Sequence, residues 1–104
     1  MKYIYDFDKN YLTAVEGDFE FSVQFYQPQI IGFESCYLVS VYWQPKFGRF
    51  RLTQAEFDKD GRLKRGDEDW GKYNIPFSEM CHWMQEAGIQ LVDEISKGIR
   101  LYMR

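Results

Sequence analysis

Cysteine and long apolar stretches are scarce in this sequence. The two cysteines, Cys36 and Cys81, are 45 positions apart, and neither falls in a CxxC or metal-type spacing. This excludes the disulfide-dense framework of small secreted domains. No apolar run approaches the roughly 20 residues of a membrane-spanning helix, and the first residues lack the apolar core of a secretory signal. We therefore expect a cytoplasmic protein with two buried, reduced thiols and no membrane partner, with a single disulfide between the two cysteines as the alternative.

Residues that carry chemistry are also few. His82 is the only histidine, and it follows Cys81 in a segment with helical periodicity. Consecutive helix positions point about 100° apart, so this pair does not have the geometry of a nucleophile and its base. HExxH, GxSxG, Walker and dinucleotide-binding glycine patterns are all absent. We predict a non-enzymatic protein with no catalytic residues, metal or cofactor, and we keep a small enzyme with an unrecognised site as an alternative.

The overall composition is that of a folded chain. The sequence has 104 residues, of which 45% are hydrophobic and 28% charged, close to the average for globular proteins. A disordered chain would combine low hydrophobicity with high net charge, whereas the net charge here is only −3. The length suits one domain, spanning residues 1–104.

Alternation of apolar and polar residues predicts strands over the first two thirds of the chain and again at its end. The predicted strands are 2–7, 11–15, 19–26, 35–43, 49–57, 62–65 and 99–104. A phase change within 49–57 predicts a β-bulge near Thr53–Gln54. The run Asp58-Lys59-Asp60-Gly61 predicts a hairpin turn, because glycine adopts the positive φ that such turns require. Segment 65–74 is polar and punctuated by glycine, so we expect an exposed loop.

A single apolar stripe indicates one helix after Pro76, with Ser78 as an alternative cap. Its members are Met80, Trp83, Met84, Ala87, Leu91 and Ile95. One glycine costs a helix only about 1 kcal/mol, so we predict that the helix continues past Gly88 to about Lys97. Alternatively, Gly88 ends the helix and 89–95 forms a hairpin with 99–104 through 96–98.

Together these elements predict an α+β fold, with an antiparallel sheet of four to six strands and one C-terminal helix packed on one face. The helix stripe is expected to meet the apolar face of two strands. That face comprises Phe19, Phe21, Val23, Phe25, Val39 and Val41.

Charge is unevenly distributed along the chain. Residues 45–65 contain seven cations and three acids, while the segments on either side are acidic. A basic hairpin interleaved with Phe47, Phe50 and Phe57 could follow phosphates while its rings stack on bases. Nucleic acid is therefore one candidate partner.

Aromatic residues are unusually abundant: phenylalanine, tyrosine and tryptophan make up 19% of the chain. A small interior cannot bury that much ring surface, and exposed apolar patches usually mark partner sites. We therefore predict a small protein that docks on and occludes a macromolecule, as inhibitor, immunity and adaptor proteins do, with a protein as partner. A homodimer is a further candidate, because exposed aromatics can bury against a second copy. The predicted contact residues are Tyr42, Trp43, Phe47, Arg49, Arg51, Arg65, Trp70 and Tyr73.

Overall fold

The computed structural model describes residues 1–6, 8–26, 35–94 and 98–103. Along these residues six strands are followed by two helices and then by two further strands. They are β1 (Lys2–Asp6), β2 (Tyr11–Glu16), β3 (Phe19–Tyr26), β4 (Cys36–Trp43), β5 (Phe50–Asp58), β6 (Leu63–Gly66), α1 (Trp70–Tyr73), α2 (Phe77–Glu86), β7 (Ile89–Glu94) and β8 (Gly98–Met103).

The first six strands form one antiparallel sheet in which spatial order equals chain order, β1-β2-β3-β4-β5-β6. Tight turns join several of the neighbouring strands. Asn10 and Gly17 take positive φ values between the first three strands. At the β5–β6 turn, a carboxylate oxygen of Asp58 accepts the backbone N–H groups of Asp60 and Arg62 at 2.9 Å, and Gly61 has a φ of +85°. The α+β fold and this hairpin turn are as predicted.

The core lies on one face of this sheet. Alternate residues of β3 and β4 point into it, including Val23, Phe25, Tyr37 and Val39, and all four are buried. Helix α2 packs over them through Met80, Trp83 and Met84, which are also buried. The rings of Phe21 and Trp83 lie 5.0 Å apart. The predicted packing onto β3 and β4 is confirmed for Met80, Trp83 and Met84 of the stripe, whereas Phe19 is exposed and Leu91 belongs to β7 rather than to the helix.

Helix α2 ends earlier than the favoured prediction. It stops at Glu86, and Gly88 takes a φ of +75°, so the prediction of a helix to Lys97 is wrong. The alternative hairpin is present instead, because β7 pairs antiparallel with β8 in a second, two-stranded sheet. Ile89 explains the choice physically: its side chain is 3% exposed and joins the core directly after the turn. Of the expected turn residues 96–98, Gly98 begins β8, and residues 96 and 97 lie outside the described part of the chain.

A β-bulge interrupts β5 close to the predicted place. Val41 pairs with Thr53 and Tyr42 pairs with Arg51, which leaves Leu52 as the extra residue. The bulge is thus one position before Thr53–Gln54. It changes the phase of the strand, so that Thr53, rather than Leu52, continues the buried row.

Segment 65–74 differs from the exposed loop that was predicted. Residues Trp70–Tyr73 form α1, and the Trp70 side chain is buried with its ring 6.0 Å from that of Phe57. A Cβ at Gly66 would lie 3.1 Å from the Trp70 Cβ, so the glycine makes this close approach possible. No described helix has the length and apolarity needed to cross a membrane.

Candidate functional site

Three aromatic rings meet at the end of the β4–β5 hairpin. The ring centroids of Trp43 and Phe47 are 5.8 Å apart, those of Trp43 and Phe50 5.7 Å, and those of Phe47 and Phe50 6.0 Å. We call these three residues the aromatic cluster. Phe47 is 76% exposed and Phe50 45%. The rings therefore contact one another rather than the core.

The hairpin loop presents the cluster in a fixed conformation. The Gln44 N–H donates to the Asp18 carbonyl at 2.6 Å, which ties the loop to the β2–β3 turn. The Gly48 N–H donates to the Pro45 carbonyl at 3.2 Å. A side chain at Gly48 would crowd the Phe50 ring, because its Cβ would lie 3.1 Å away. The two backbone hydrogen bonds of the loop and the absence of a Cβ at Gly48 thus let the rings pack together.

Phe19 extends the cluster onto the neighbouring strand. It lies opposite Trp43 in the β3–β4 register and is 44% exposed. In an antiparallel pair, opposite residues point to the same face, so Phe19 and Trp43 share the helix-bearing face of the sheet. The patch lies at the end of the sheet, where the β3 side chains on the helix-bearing face are no longer buried.

A charged network occupies the other face at the same end. The Arg49 Nε donates to the Glu20 carboxylate at 3.1 Å, and Gln44 donates a second hydrogen bond to the same oxygen. The Arg49 guanidinium also stacks on Tyr42, with its carbon 3.8 Å from the ring centroid. Arg51 lies opposite Tyr42 in the register and is exposed. Cations thus flank the cluster, which is itself apolar.

Arg49 stays positively charged at this site. Burial alone would lower the pKa of its guanidinium, but the hydrogen bond and charge of Glu20 outweigh that effect, and the net pKa is raised. Arg49 is therefore a permanent cation whose charge is largely balanced within the molecule.

Five of the eight predicted contact residues come together at this end of the sheet: Tyr42, Trp43, Phe47, Arg49 and Arg51. The remaining three do not belong to this surface.

The Arg65 Nε lies 3.3 Å from the Glu56 Oε2. Glu56 is six residues beyond Phe50 on β5, so this ion pair is roughly 20 Å from the aromatic cluster. Trp70 is buried, which corrects its prediction as an exposed anchor. Tyr73 is half-buried and packs against the core. Both rings are held by the interior because α1 turns them inward.

The eight predicted contact residues did not include Phe50 and Phe19, although Phe50 was among the rings expected to stack on bases in the nucleic-acid alternative. Phe50 had a detectable signal, since it lies on the far side of the predicted phase change and thus out of step with Ala55 and Phe57. Phe19 had none. Its place in the alternation of β3 matches that of the buried residues, and its exposure depends on how far the helix reaches along the sheet.

The thiols lie away from the cluster and are not activated. Burial raises the pKa of Cys36, and the Glu56 carboxylate raises it further; burial also raises the pKa of Cys81. Reactive cysteines have lowered pKa values instead. Within the described residues, no group of three or more histidine, cysteine or acidic side chains could hold a metal ion.

Comparison with protein-family models, with curated proteins and with solved structures gave no match.

Proposed function

We propose that this chain is a small non-enzymatic binding protein that docks on a protein partner through the aromatic cluster and Phe19. The observation that carries the proposal is the position of Phe47: it projects from a hairpin tip, 76% exposed, while contacting two further rings. Large apolar side chains grouped at the surface usually mark a partner site. Occlusion of the surface that it covers would be its mode of action.

The ring contacts suit this role energetically. Binding costs free energy for each side chain that must be immobilised, about 0.5–1.5 kcal/mol for a flexible one. Phe47 and Phe50 already rest on Trp43, so part of that ordering is complete before the partner arrives. We therefore assign Phe47 as the residue that enters an apolar recess on the partner, with Trp43 and Phe50 packed around it.

The charged residues beside the aromatic cluster indicate which groups should surround the recess on the partner. Lys46 and Arg51 are exposed next to the cluster. Glu20 balances Arg49, so Lys46 and Arg51 are the remaining cations of the hairpin end, while the exposed acids Glu16 and Asp18 lie at the adjoining β2–β3 turn. We propose an apolar recess with acidic groups at its rim as the complementary surface, since opposite charges around an interface speed association and set orientation.

The basic segment supports a nucleic-acid partner less well. Three of its cations, Arg49, Lys64 and Arg65, form ion pairs with Glu20 or Glu56. Phosphate recognition relies on cations that are free to replace bound counterions. A fluorescence titration with a single-stranded oligonucleotide at low salt separates the two proposals, and we expect no saturable binding. Binding that weakens steeply with salt and depends on Arg51 would favour nucleic acid.

Site-specific crosslinking tests the docking surface. The full chain is made with a photoreactive benzoylphenylalanine in place of Phe47, or in place of Leu63 as the control, because Leu63 is also an exposed apolar residue, on β6. After irradiation in a lysate of the cells in which the protein naturally occurs, the variant with the probe at position 47 should be crosslinked to a defined protein. The variant with the probe at position 63 should give no crosslinked protein. Identical adducts from both positions, or none from 47, would contradict the proposal.

The protein identified in that adduct is then tested directly. Alanine substitution of a central anchor residue typically costs about 2 kcal/mol or more, roughly a thirtyfold loss of affinity. We expect losses of that size for Phe47→Ala and smaller ones for Phe50→Ala, measured by calorimetry with purified proteins. Leu63→Ala should bind like the original chain. Unchanged affinity in both phenylalanine variants would exclude the cluster as the contact surface.

A further inference from the structure

None of the described strands pairs with the outer edge of β1. β1 is the first strand of the sheet, and among the described residues it pairs with β2 alone. All five of its residues pair in register, with no bulge. Ile4, at its centre, is 52% exposed. A regular edge strand presents a row of backbone donors and acceptors to any strand that can align with it.

The opposite edge of the sheet is protected. β6 has four residues, and Glu56 pairs with Arg65 while Phe57 pairs with Leu63, so Lys64 is left out of the register. Lys64 and Arg65 both form ion pairs with Glu56. A short strand, an irregularity and charged side chains are the usual means of preventing edge-to-edge association. The contrast indicates that β1 is available for pairing and that β6 is not.

The sequence of β1 is complementary to itself when reversed. Aligned antiparallel about Ile4, Lys2 of one copy faces Asp6 of the other, and Tyr3 faces Tyr5. Opposite charges and aromatic pairs directly across two strands are both stabilising. A register centred on Tyr3 or Tyr5 instead leaves one charged residue facing Ile4 and the other without a facing residue in β1. The charges therefore select the alignment about Ile4.

We propose that two copies of this chain associate through antiparallel pairing of their β1 strands, with a two-fold axis at Ile4. Each six-stranded sheet continues into the other. The same patch serves both copies, as a two-fold interface requires.

The faces of the two copies also match. Tyr3 and Tyr5 lie opposite Ala14 and Leu12 on the core face and are half-buried. Opposite residues of antiparallel strands share a face, so the tyrosines of the two copies meet at the border between the two cores. Lys2, Ile4 and Asp6 meet on the other face.

The interface leaves the aromatic cluster free. The cluster is built on β4, β5 and their loop, whereas the pairing edge is β1, separated from β4 by two strands. The inference is independent of the proposed function, and the dimer would present two docking surfaces. Loss of partner binding and loss of dimerisation are therefore separable measurements.

Charge reversal combined with mixing tests the pairing. Sedimentation velocity from micromolar to millimolar protein should show a reversible dimer for the full chain. In the Lys2→Glu dimer an introduced glutamate would face Asp6, and in the Asp6→Lys dimer an introduced lysine would face Lys2. The dissociation constant of each variant dimer should therefore be at least about tenfold higher than that of the original chain. An equimolar mixture should associate again, because Lys2→Glu in one copy and Asp6→Lys in the other restore both opposite-charge pairs.

Mixing the two variants also shows whether each of them folds. The Asp6 carboxylate accepts the Lys9 N–H at 3.2 Å, so Asp6→Lys weakens the turn after β1. A misfolded variant would not recover association on mixing, whereas a folded one does. Circular dichroism of each variant and hydrogen exchange at residues 2–6 complete the measurement. We expect those amides to become more protected as the protein concentration rises.

Ile4→Lys and Leu63→Lys form a matched control pair. Ile4 is 52% exposed and Leu63 53%, on opposite edges of the sheet. Ile4→Lys places two cations at the axis and should abolish the dimer, while Leu63→Lys should leave it intact. The proposal is overturned by a chain that stays monomeric at millimolar concentration. It is also overturned by a dimer that tolerates Lys2→Glu and Ile4→Lys, or by one that Phe47→Ala dissociates.

Discussion

The Arg49 guanidinium lies over the Tyr42 ring, 3.8 Å from its centroid, while its Nε donates to Glu20 on the neighbouring strand. One side chain from the hairpin loop thus joins β4 to β3 on the face opposite the aromatic cluster. Because Arg49 is adjacent to Phe50, this anchoring also restrains the loop that carries the cluster.

We expect Arg49→Ala to lower the free energy of unfolding by about 1–2 kcal/mol. The half-exposed ion pair contributes at most about 1 kcal/mol, and the cation–π contact a similar amount. Urea denaturation followed by circular dichroism measures the change. Arg62→Ala is the control, because Arg62 is exposed and its guanidinium makes no described contact. Equal effects of the two substitutions would show that the network does not stabilise the fold.

Gly61 links the β5–β6 turn to the start of α2. Its φ is +85°, and a Cβ added there would overlap the Phe77 ring. That ring is enclosed in turn by Tyr37, at 5.3 Å, and Phe57, at 6.0 Å. A Cβ at Gly61 would therefore displace the half-buried Phe77 ring from its contacts with Tyr37 and Phe57.

Gly61→Ala should consequently destabilise the protein more than Gly17→Ala. Both glycines have positive φ, which costs a residue with a Cβ about 1–2 kcal/mol. At Gly17 nothing lies within 4 Å of the added Cβ, so only that backbone cost applies. At Gly61 the overlap adds about 1–3 kcal/mol of overpacking. Thermal unfolding of the two variants compares them, and similar melting temperatures would contradict the steric argument.

The sheet was largely predictable from the sequence. In β3, apolar and polar residues alternate without interruption, because one face of the strand packs against the helix-bearing core and the other carries polar side chains, of which Glu20 and Ser22 are themselves buried. Both bounds of that strand were accordingly predicted. The end of α2 was harder to predict, because the cost of one glycine is too small to decide between a helix and a turn. The burial of Ile89 decides it, and that contact is tertiary.

Half of the candidate site was predictable for a similar reason. Trp43 and Phe47 are bulky residues beside a proline-containing loop, which is a local signal. Trp70 is also beside glycines in a polar segment, yet it is buried, because Gly66 allows its ring to approach β6 closely. The exposure of Phe19 depends on where α2 ends over the sheet. Packing between distant segments therefore decided which rings are free.

Phe47 should be dispensable for folding. It is 76% exposed, so Phe47→Ala should change the free energy of unfolding by less than about 0.5 kcal/mol. Phe57, 4% exposed in the core, should cost about 3–5 kcal/mol when changed to alanine. Chemical denaturation of both variants measures the difference. A large loss of stability in Phe47→Ala would mean that the cluster serves the fold rather than a partner.

Cys36 offers a test of the electrostatics on the face of the sheet opposite the helix-bearing core. Burial raises the pKa of its thiol most, and the Glu56 carboxylate, whose Oε1 is 3.8 Å from Sγ, raises it further. Lys64 and Arg65 act in the opposite direction. Since alkylating reagents attack the thiolate, Cys36 should react slowly at neutral pH, and its rate should climb only at a pH above the ordinary thiol range, about 8.5.

Glu56→Gln removes the negative charge and should lower the pKa of Cys36. The iodoacetamide rate profile of Cys36 should therefore shift to lower pH, with its plateau unchanged. Cys81 in the same molecule is the control, because its pKa is raised by burial alone and should not move. Peptide mass mapping resolves the two sites. A rate that rises equally at every pH would indicate local opening after loss of the Glu56 ion pairs and would contradict the electrostatic cause.

The raised pKa of Cys36 also determines whether the free energy of unfolding rises or falls at alkaline pH. A pKa that is higher in the folded chain than in the unfolded one stabilises the fold fully below the unfolded value of about 8.5, and this contribution is lost as the pH rises through the folded value. Cys36→Ala removes the titrating group. Its unfolding free energy should fall less steeply above that pH than that of the original chain, measured by urea denaturation at a series of pH values. Parallel slopes would mean that the Cys36 pKa is the same in both states.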